Sequence, residues 1–295
     1  MQAIAQKSDT VVNNALLAYY AHPGMMTDPR DLAFMFAELP TEVGELCQIV
    51  QQNLLHVFWA ERYGRSMSEA EQEPLNLRSL YQKLLRMREV NVLPLTEPRP
   101  LAERQVGNCR DFTLLLVAML RYQGIPARAR CGFAAYFLPD HYEDHWVAEV
   151  WNGARWVLVD AQLDALQREV LDIRFDPLDV PREQFIVAGE AWQSCRRGEA
   201  NPADFGIFDM HGWWFIWGNV VRELLAFNKV EILPWDAEVG YFTHNLGDRL
   251  PPEGPELAEY DRLAALTTAG DQAFLALRNL YTCEPQLHVP SKWFR

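Results

Sequence analysis

The sequence has 295 residues, enough for one large domain or two smaller ones, and 49% of them are hydrophobic and 23% charged. This composition is typical of a globular protein and excludes a chain that is disordered throughout. The formal net charge of -13, without any cluster of basic residues, argues against binding to nucleic acids or to acidic membrane surfaces.

The first hundred residues are predicted to be mainly helical. Over 42–63, apolar residues recur at the spacing of one buried helical face, which predicts a single helix capped by Thr41 and ended by Gly64. A second helix is predicted at about 77–88. The proline-rich segment 93–100 is predicted to be a loop.

The pattern changes in the middle of the chain. A strongly apolar helix is predicted from Asn108 onward, with Gly124 as its left-handed cap. Asn152 and Gly153 predict a β-hairpin with a type I′ turn, because that turn needs positive φ at both central residues. The segments with β-strand character are 127–137, 145–151 and 154–161.

The last part of the chain is predicted to return to helix. One helix is opened by Asp179 and Pro181 and closed by Gly198, and further helices are predicted near 214–227 and 257–281. The fold class is therefore α+β, with a helix packed on an antiparallel sheet between helical N- and C-terminal extensions. The predicted regions are a helical region packed on the core (1–100), the core itself (101–178) and a mainly helical, tryptophan-rich region (179–295).

The cysteines and the apolar segments indicate the cellular compartment of the protein. The five cysteines are odd in number and widely spread, so they predict neither a disulfide framework nor a zinc knuckle. The first residues lack the basic start and apolar run of a secretory signal. The apolar run 113–120 is shorter than the ~20 residues that cross a bilayer. We predict a cytoplasmic protein with reduced thiols and no membrane or nucleic-acid partner.

Cys109 lies at the start of the predicted apolar helix. The positive end of the helix dipole and the unpaired N–H groups there favour a thiolate and lower the pKa of the thiol. The same N–H groups can hold an oxyanion that develops during acyl transfer. The alternative is a buried cysteine that acts as a small hydrophobic residue.

The predicted hairpin places an acid beside a candidate base. With a two-residue turn at 152–153, Trp151 faces Ala154 and, further along the strands, His145 faces Asp160. Directly opposed residues share a sheet face with Cβ atoms ~4.5–5.5 Å apart. That separation permits the Nδ1–H···O bond that fixes the tautomer of a base, but a slip of one residue would separate the pair. The alternatives are a core histidine and a carboxylate that ends a strand.

The segments GNCRDFTLLLVAMLRYQGIPARARCGF and DHWVAEVWNGARWVLVDA resemble the transglutaminase-like superfamily over about residues 105–162. That superfamily has a cysteine at a helix start, a histidine opening a strand in an H-x-W-V-like context, and an aspartate ending the next strand. The resemblance implies a papain-type core in which Cys109 is the nucleophile, His145 the general acid–base and Asp160 the orienting acid.

The sequence departs from the superfamily pattern at two points. Ala161 and Gln162 follow the aspartate where members often carry proline, which leaves the three candidate residues intact and alters the neighbouring loop. The upstream side chain that helps to hold an oxyanion is not marked by a motif. Gln105 is the candidate, with an ordinary polar loop residue as the alternative.

Two charged segments have simpler interpretations than a binding site. Arg128 and Arg130 alternate with apolar positions, which is typical of a solvated strand face. An extended segment cannot by itself surround a metal ion, so we predict neither a metal nor a cofactor. The side chains that otherwise resemble metal ligands are His141, Glu143, Asp144 and His145.

Half of the tryptophans lie between residues 192 and 235. They predict an aromatic core that packs the C-terminal helices on the sheet, with the lining of an apolar acyl or peptide pocket as the alternative. These residues are Trp192, Trp213, Trp214, Trp217 and Trp235.

The predicted function is that of a cysteine enzyme that forms an acyl-enzyme on an amide, ester or thioester. Its substrate is expected to be a peptide, a protein or a small amide or acyl compound. Hydrolysis by a peptidase or amidase is preferred because water needs no acceptor site. The alternatives are a transamidase or amide synthase with an amine acceptor, a non-enzymatic binding or scaffold protein that retains the fold, and a zinc hydrolase that uses the DHYEDH segment.

Overall fold

A computed structural model of the chain describes residues 14–236 and 254–294. The helices are α1 (14–20), α2 (Val43–Asn53), α3 (Glu69–Gln72), α4 (Leu80–Val90), α5 (Cys109–Tyr122), α6 (Ala165–Val170), α7 (Ala188–Arg196), α8 (Trp213–Phe227), α9 (Pro255–Ala269) and α10 (Phe274–Cys283). The strands are β1 (Leu54–His56), β2 (Gln105–Gly107), β3 (Ala127–Ala134), β4 (Tyr142–Trp151), β5 (Trp156–Val159), β6 (Phe185–Val187), β7 (Phe205–Ile207) and β8 (Met210–His211).

The central sheet has the strand order β6-β3-β4-β7-β8, and β5 also pairs with β4. Strands β3, β4, β5 and β6 are antiparallel, as predicted, but β4 pairs with β7 in parallel. The sheet is therefore mixed, because the long connection through α6 and α7 returns the chain to β4 in the same direction. The α+β class is confirmed. Within the described ranges, no helix has the length and apolar character to cross a membrane.

The predicted helix over 42–63 is interrupted. Helix α2 begins after Glu42, whose side chain makes no capping bond, and not after Thr41. The chain then turns into β1, because the backbone of this buried strand pairs in parallel with β2, and continues as the 3₁₀ helix Val57–Tyr63. Gly64 ends that helix with a φ of 78°, as predicted.

The predicted helix that ends at Gly198 is shorter than expected. Its first part is strand β6, which pairs with the edge of β3 before α7 begins. Gly132 of β3 permits this close pairing, because a Cβ atom there would lie 2.2 Å from the carbonyl oxygen of Ile186. Gly124 and Gly198 end their helices with positive φ, as predicted.

The β4–β5 hairpin has a longer loop than predicted. Trp151 pairs with Trp156, two residues beyond its predicted partner, and residues 152–155 form the loop. The Asn152 side chain accepts hydrogen bonds of 2.9 and 3.0 Å from two backbone N–H groups of the loop, while Gly153 has a φ of 95°. Asn152 therefore shapes the loop through its side chain and not through a positive φ.

Arg128 and Arg130 are buried, and their interpretation as a solvated strand face is wrong. Both guanidinium groups contact the buried Glu149 of β4, at 2.6 and 2.7 Å. Arg128 also pairs with Asp271 and Arg130 with Glu223. The alternating arginines thus tie the sheet to helix α8 and to the segment that follows α9.

Candidate active site

Cys109 is the first residue of α5, the helix that packs against β3 and β4. The turn is fixed by a capping box in which Asn108 and Asp111 each bind the other's backbone N–H group. Asp111 is completely buried and pairs with Lys83 and Arg110, each at 3.0 Å. The helix start that carries the thiol is therefore held from two sides.

His145 and Asp160 are brought together, although the predicted register is wrong. Strand β5 ends at Val159, which pairs with Ala148, so Asp160 is a diagonal neighbour of His145 and not its direct partner. A shift of two residues retains the sheet face because side chains alternate with a period of two. His145 Nε2 lies 2.8 Å from Asp160 Oδ2. The predicted Nδ1 contact is thus replaced by Nε2, which leaves Nδ1 for another partner.

Tyr136 is a neighbour of this pair that sequence reasoning missed. Its hydroxyl group donates to Asp160 Oδ2 at 2.7 Å, and the Gln162 backbone N–H donates to Oδ1 at 2.9 Å. Burial opposes the ionisation of Asp160, but the charge and hydrogen bond of His145, with these two donors, outweigh it and lower its pKa. Asp160 therefore stays ionised at neutral pH and holds the imidazole in place.

Cys109 and His145 line one cavity of about 550 Å³, hereafter the Cys109 cavity. The cavity reaches from the start of α5 to the start of α8, and about a third of its lining residues are phenylalanine or tryptophan. The polar residues among its other lining groups are Gln72, Asn108, Glu143, Asp144, Gln162, Arg222, Asp236 and His56.

The environment of the thiol differs from the prediction. Burial raises the pKa of Cys109 well above its ordinary value, and the nearby Asp144 carboxyl acts in the same direction. The backbone N–H groups of Trp146 and Arg110 interact with the sulfur and favour the thiolate, but less strongly. The resting cysteine is therefore a neutral thiol, and the predicted lowering by the helix start is outweighed by desolvation.

The structure does not place Gln105 in the Cys109 cavity. Gln105 lies in β2, and both of its side-chain amide atoms are buried without a partner in the described part of the chain. His56 of β1 lines the cavity instead. It pairs with Gly107, two residues before Cys109, and reaches the site only through the parallel β1–β2 contact. No local motif marks such a residue 53 positions upstream.

His56 carries a neutral imidazole ring. Its Nδ1 accepts the backbone N–H of Phe58 at 3.3 Å, which places the ring proton on Nε2. This is the hydrogen bond that the ring makes within residues 14–236 and 254–294. Burial, with the nearby His145, lowers the pKa of His56 to about 3. The ring therefore stays uncharged across the neutral range.

This histidine predicts a loss of stability in acid. Because the pKa is lower in the folded than in the unfolded protein, protons bind preferentially to the unfolded chain below pH 6.5. The free energy of unfolding is expected to fall by about 1.4 kcal/mol for each pH unit from there down to the folded pKa. Urea denaturation at a series of pH values measures this. The free energy of unfolding of His56→Gln should fall by that much less per pH unit than in the wild type, whereas His211→Gln, at an exposed position, should leave the pH dependence unchanged.

The DHYEDH segment is not assembled as a metal site. The Asp144 carboxyl accepts a hydrogen bond from Asn219 at 2.7 Å, His145 binds Asp160, and Glu143 lines the Cys109 cavity. Across the two described ranges, no group of three His, Cys, Asp or Glu side chains is arranged to hold a metal ion.

The C-terminal tryptophans are divided between the core and the lining of the Cys109 cavity. Trp192 and Trp217 are buried in the core, and Trp217 stacks on Tyr260 with ring centroids 3.9 Å apart. Trp214 and Trp235 are exposed at the Cys109 cavity. The aromatic cluster therefore joins α7, α8 and α9 and also supplies one wall of the candidate site.

A comparison with known protein families matches part of the chain. Residues 62–161 match the family model of the transglutaminase-like superfamily, and the match includes Cys109, His145 and Asp160. The chain contains a transglutaminase-like core. This transglutaminase-like match supports a cysteine-based enzyme in general.

Among solved structures, a crystal structure at 1.9 Å of a candidate cysteine protease from Cytophaga hutchinsonii is similar to the chain. The two share 18% identity with a TM-score of 0.33, over 57% of this chain and 44% of that one. The similarity thus spans less than half of that protein. No curated protein matches the sequence.

Proposed function

We propose that the transglutaminase-like core is a cysteine acyl-transfer site that hydrolyses an amide, ester or thioester. The observation that carries the proposal is that Cys109 and His145 line one cavity while Asp160 holds the imidazole at 2.8 Å. A nucleophile, a base and a group that orients the base are the parts that acyl transfer requires.

In the proposed mechanism, His145 takes the proton of the neutral Cys109 thiol as the sulfur attacks the substrate carbonyl carbon. Asp160 stabilises the imidazolium ion that forms. His145 then returns the proton to the leaving group, which leaves an acyl group on the sulfur. Water, deprotonated by His145, attacks this thioester, and the acid product departs as the thiol is restored.

The oxyanion of each tetrahedral intermediate needs hydrogen-bond donors. The backbone N–H of Cys109, at the start of α5, supplies one, because the first N–H groups of a helix have no partner within the helix. We assign the second to His56 Nε2–H, in place of Gln105. A neutral imidazole suits this task because it donates a hydrogen bond without giving up a proton.

His56→Ala is expected to lower kcat about 10²- to 10³-fold with a small change in KM, because an oxyanion donor acts mainly in the transition state and alanine supplies none. Stopped-assay kinetics on a small thioester measure this. Gln105→Ala serves as the control and should keep kcat within about threefold. A larger loss with Gln105→Ala than with His56→Ala would reverse the assignment.

Intact-protein mass spectrometry tests the proposed function directly. A Cys283→Ser background removes the exposed thiol. Brief exposure to a small thioester should then add one acyl group to Cys109, and the mass should return to its starting value as the group is hydrolysed. His145→Ala should accumulate no adduct. A protein that forms no adduct with thioesters, esters or amides would instead be a binding or scaffold protein.

Transamidation is the second candidate because one carboxyl group in the cavity lacks a partner. Glu143 lines the Cys109 cavity, and its Oε2 atom is buried without a hydrogen bond from any described residue. A protonated amine acceptor would satisfy it. Adding glycine amide or cadaverine to the same reaction separates the candidates, since a transamidase releases the acyl group as the amide and a hydrolase as the acid.

A further inference from the structure

The mouth of the Cys109 cavity carries an unusual concentration of exposed apolar side chains. Phe208 is 65% exposed and Phe58 is 58% exposed. Contiguous exposed apolar surface of this kind marks a binding site more often than a solvent-facing surface. The five exposed side chains that line the cavity, hereafter the aromatic rim, are Phe58, Phe208, Met210, Trp214 and Trp235.

The aromatic rim joins distant parts of the chain. Phe58 comes from the 3₁₀ helix Val57–Tyr63 and Phe208 from the turn between β7 and β8. Their rings meet edge to face, with centroids 5.0 Å apart and planes at 90°. The two residues are thus in contact although most of their surface faces solvent. An incoming ring can extend the same edge-to-face arrangement.

Phe208 is placed against its own conformational preference. Ile207 pairs with Met210, so Phe208 and Asp209 form a two-residue hairpin loop. Phe208 has a φ of 54°, and a loop with positive φ at its first residue favours glycine there. An exposed, apolar and conformationally unfavourable side chain contributes little to the stability of the fold. Burial in the fold therefore does not account for a phenylalanine at this position.

We propose that the aromatic rim is a subsite for an uncharged arylalkanoyl group, the acyl part of the substrate that Cys109 attacks. This inference rests on the proposed function, because it names the acyl group that the site accepts. The cavity volume of about 550 Å³ suits a ligand of this size. The five side chains of the aromatic rim carry no charge, so they suit an uncharged acyl group better than one with its own carboxylate.

The transfer is balanced without any further reactant. For a thioester, the Cys109 Sγ–carbonyl bond forms and the carbonyl–sulfur bond of the substrate breaks. The proton of Cys109 passes through His145 to the departing thiolate. The aryl group stays at the aromatic rim throughout, so the gain in binding energy appears in the rate of acylation at limiting substrate.

The rates of Cys109 acylation by four ethyl thioesters test this subsite. The acyl groups are acetyl, hexanoyl, 3-phenylpropanoyl and succinyl, and intact mass reports the adduct. The 3-phenylpropanoyl group is expected to react about five- to tenfold faster than hexanoyl, and succinyl is expected to be slowest. Equal rates for hexanoyl and 3-phenylpropanoyl would overturn the aromatic subsite while leaving the proposed function in place.

Phe208→Asn is the matched variant, because asparagine accepts a positive φ more readily than phenylalanine. The thermal unfolding midpoint should be unchanged or higher, whereas the ratio of 3-phenylpropanoyl to acetyl acylation should fall about fivefold. Leu275→Ser removes another largely exposed apolar side chain, on α10 and away from the cavity, and should leave this ratio unchanged. An unchanged ratio in Phe208→Asn would contradict the proposal.

A binding measurement separates the failure of the subsite from that of the proposed function. Cys109→Ala is titrated with 3-phenylpropanamide and with propanamide, and tryptophan fluorescence reports binding. Tighter binding of the aromatic amide that is lost in Cys109→Ala/Phe208→Asn supports the subsite even if no thioester acylates the wild-type protein. No difference between the two amides, or a difference that survives in the double variant, would overturn it.

Discussion

Replacing Cys109 by alanine is expected to lower turnover by on the order of 10⁴- to 10⁶-fold, because nothing else in the proposed mechanism replaces the nucleophile. The change removes one sulfur atom from a small buried cluster with Ala129, Cys131 and Trp146, so a cooperative unfolding transition should persist. Steady-state kinetics on a thioester, together with thermal denaturation, measure both quantities.

Cys131→Ala is the matched control for this prediction. Cys131 is a buried thiol of the same cluster, and it lies on β3 opposite Trp146. It does not line the Cys109 cavity. Its replacement should change stability by a similar amount and leave kcat within about threefold. Turnover that survives Cys109→Ala but not Cys131→Ala would move the nucleophile to the other cysteine and reject the proposed mechanism.

Glu149→Gln is expected to destabilise the protein by about 3–5 kcal/mol, because it removes one partner from a buried set of charges. Glu149 contacts Arg128, Arg130 and Arg182. Burial opposes the ionisation of Glu149, but the three arginines outweigh it and lower its pKa. With glutamine in this position, Arg128 and Arg130 would remain buried with less compensating negative charge.

Urea denaturation at pH 7 measures the Glu149 effect. Glu199→Gln is the control, since Glu199 pairs with Arg197 at the surface, where solvent screens the pair and its loss should cost far less stability. The contribution of Glu149 to the free energy of unfolding also depends on pH, because its pKa is lower in the folded than in the unfolded protein. This contribution is complete above the ordinary pKa of a glutamate and is lost as the pH falls toward the pKa of the folded protein. Equal costs for the two variants would show that the buried cluster is not important for stability.

The sequence pattern correctly places His145 and Asp160 close together, although the predicted turn is wrong. The reason is that side chains alternate between the two faces of a strand. The assumed turn was two residues too short, yet a shift by an even number keeps both side chains on one face. The sequence pattern could not indicate which ring nitrogen of His145 contacts Asp160. That choice depends on Asp160 leaving the ladder after β5, where its N–H bonds to Pro177 and its carboxylate meets Tyr136.

The residues that were missed depend on contacts between distant parts of the chain. His56 lay inside a pattern of helical periodicity, and only the pairing of β1 with β2 turns that segment into a strand. Arg128 and Arg130 alternated as solvated residues do, and only the acidic side chains of β4, α8 and the segment after α9 make their burial possible. Local periodicity carries no information about such partners.

The neutral state of the Cys109 thiol has a consequence for the lifetime of the protein under oxidative conditions. Peroxides react with the thiolate form of cysteine, so a thiol that is kept protonated by burial is a poor target for conversion to sulfenic acid. In the proposed mechanism, deprotonation coupled to attack on a bound carbonyl confines the reactive sulfur to the moment of catalysis. The desolvation that would make the candidate nucleophile dependent on His145 would therefore also protect it from oxidation.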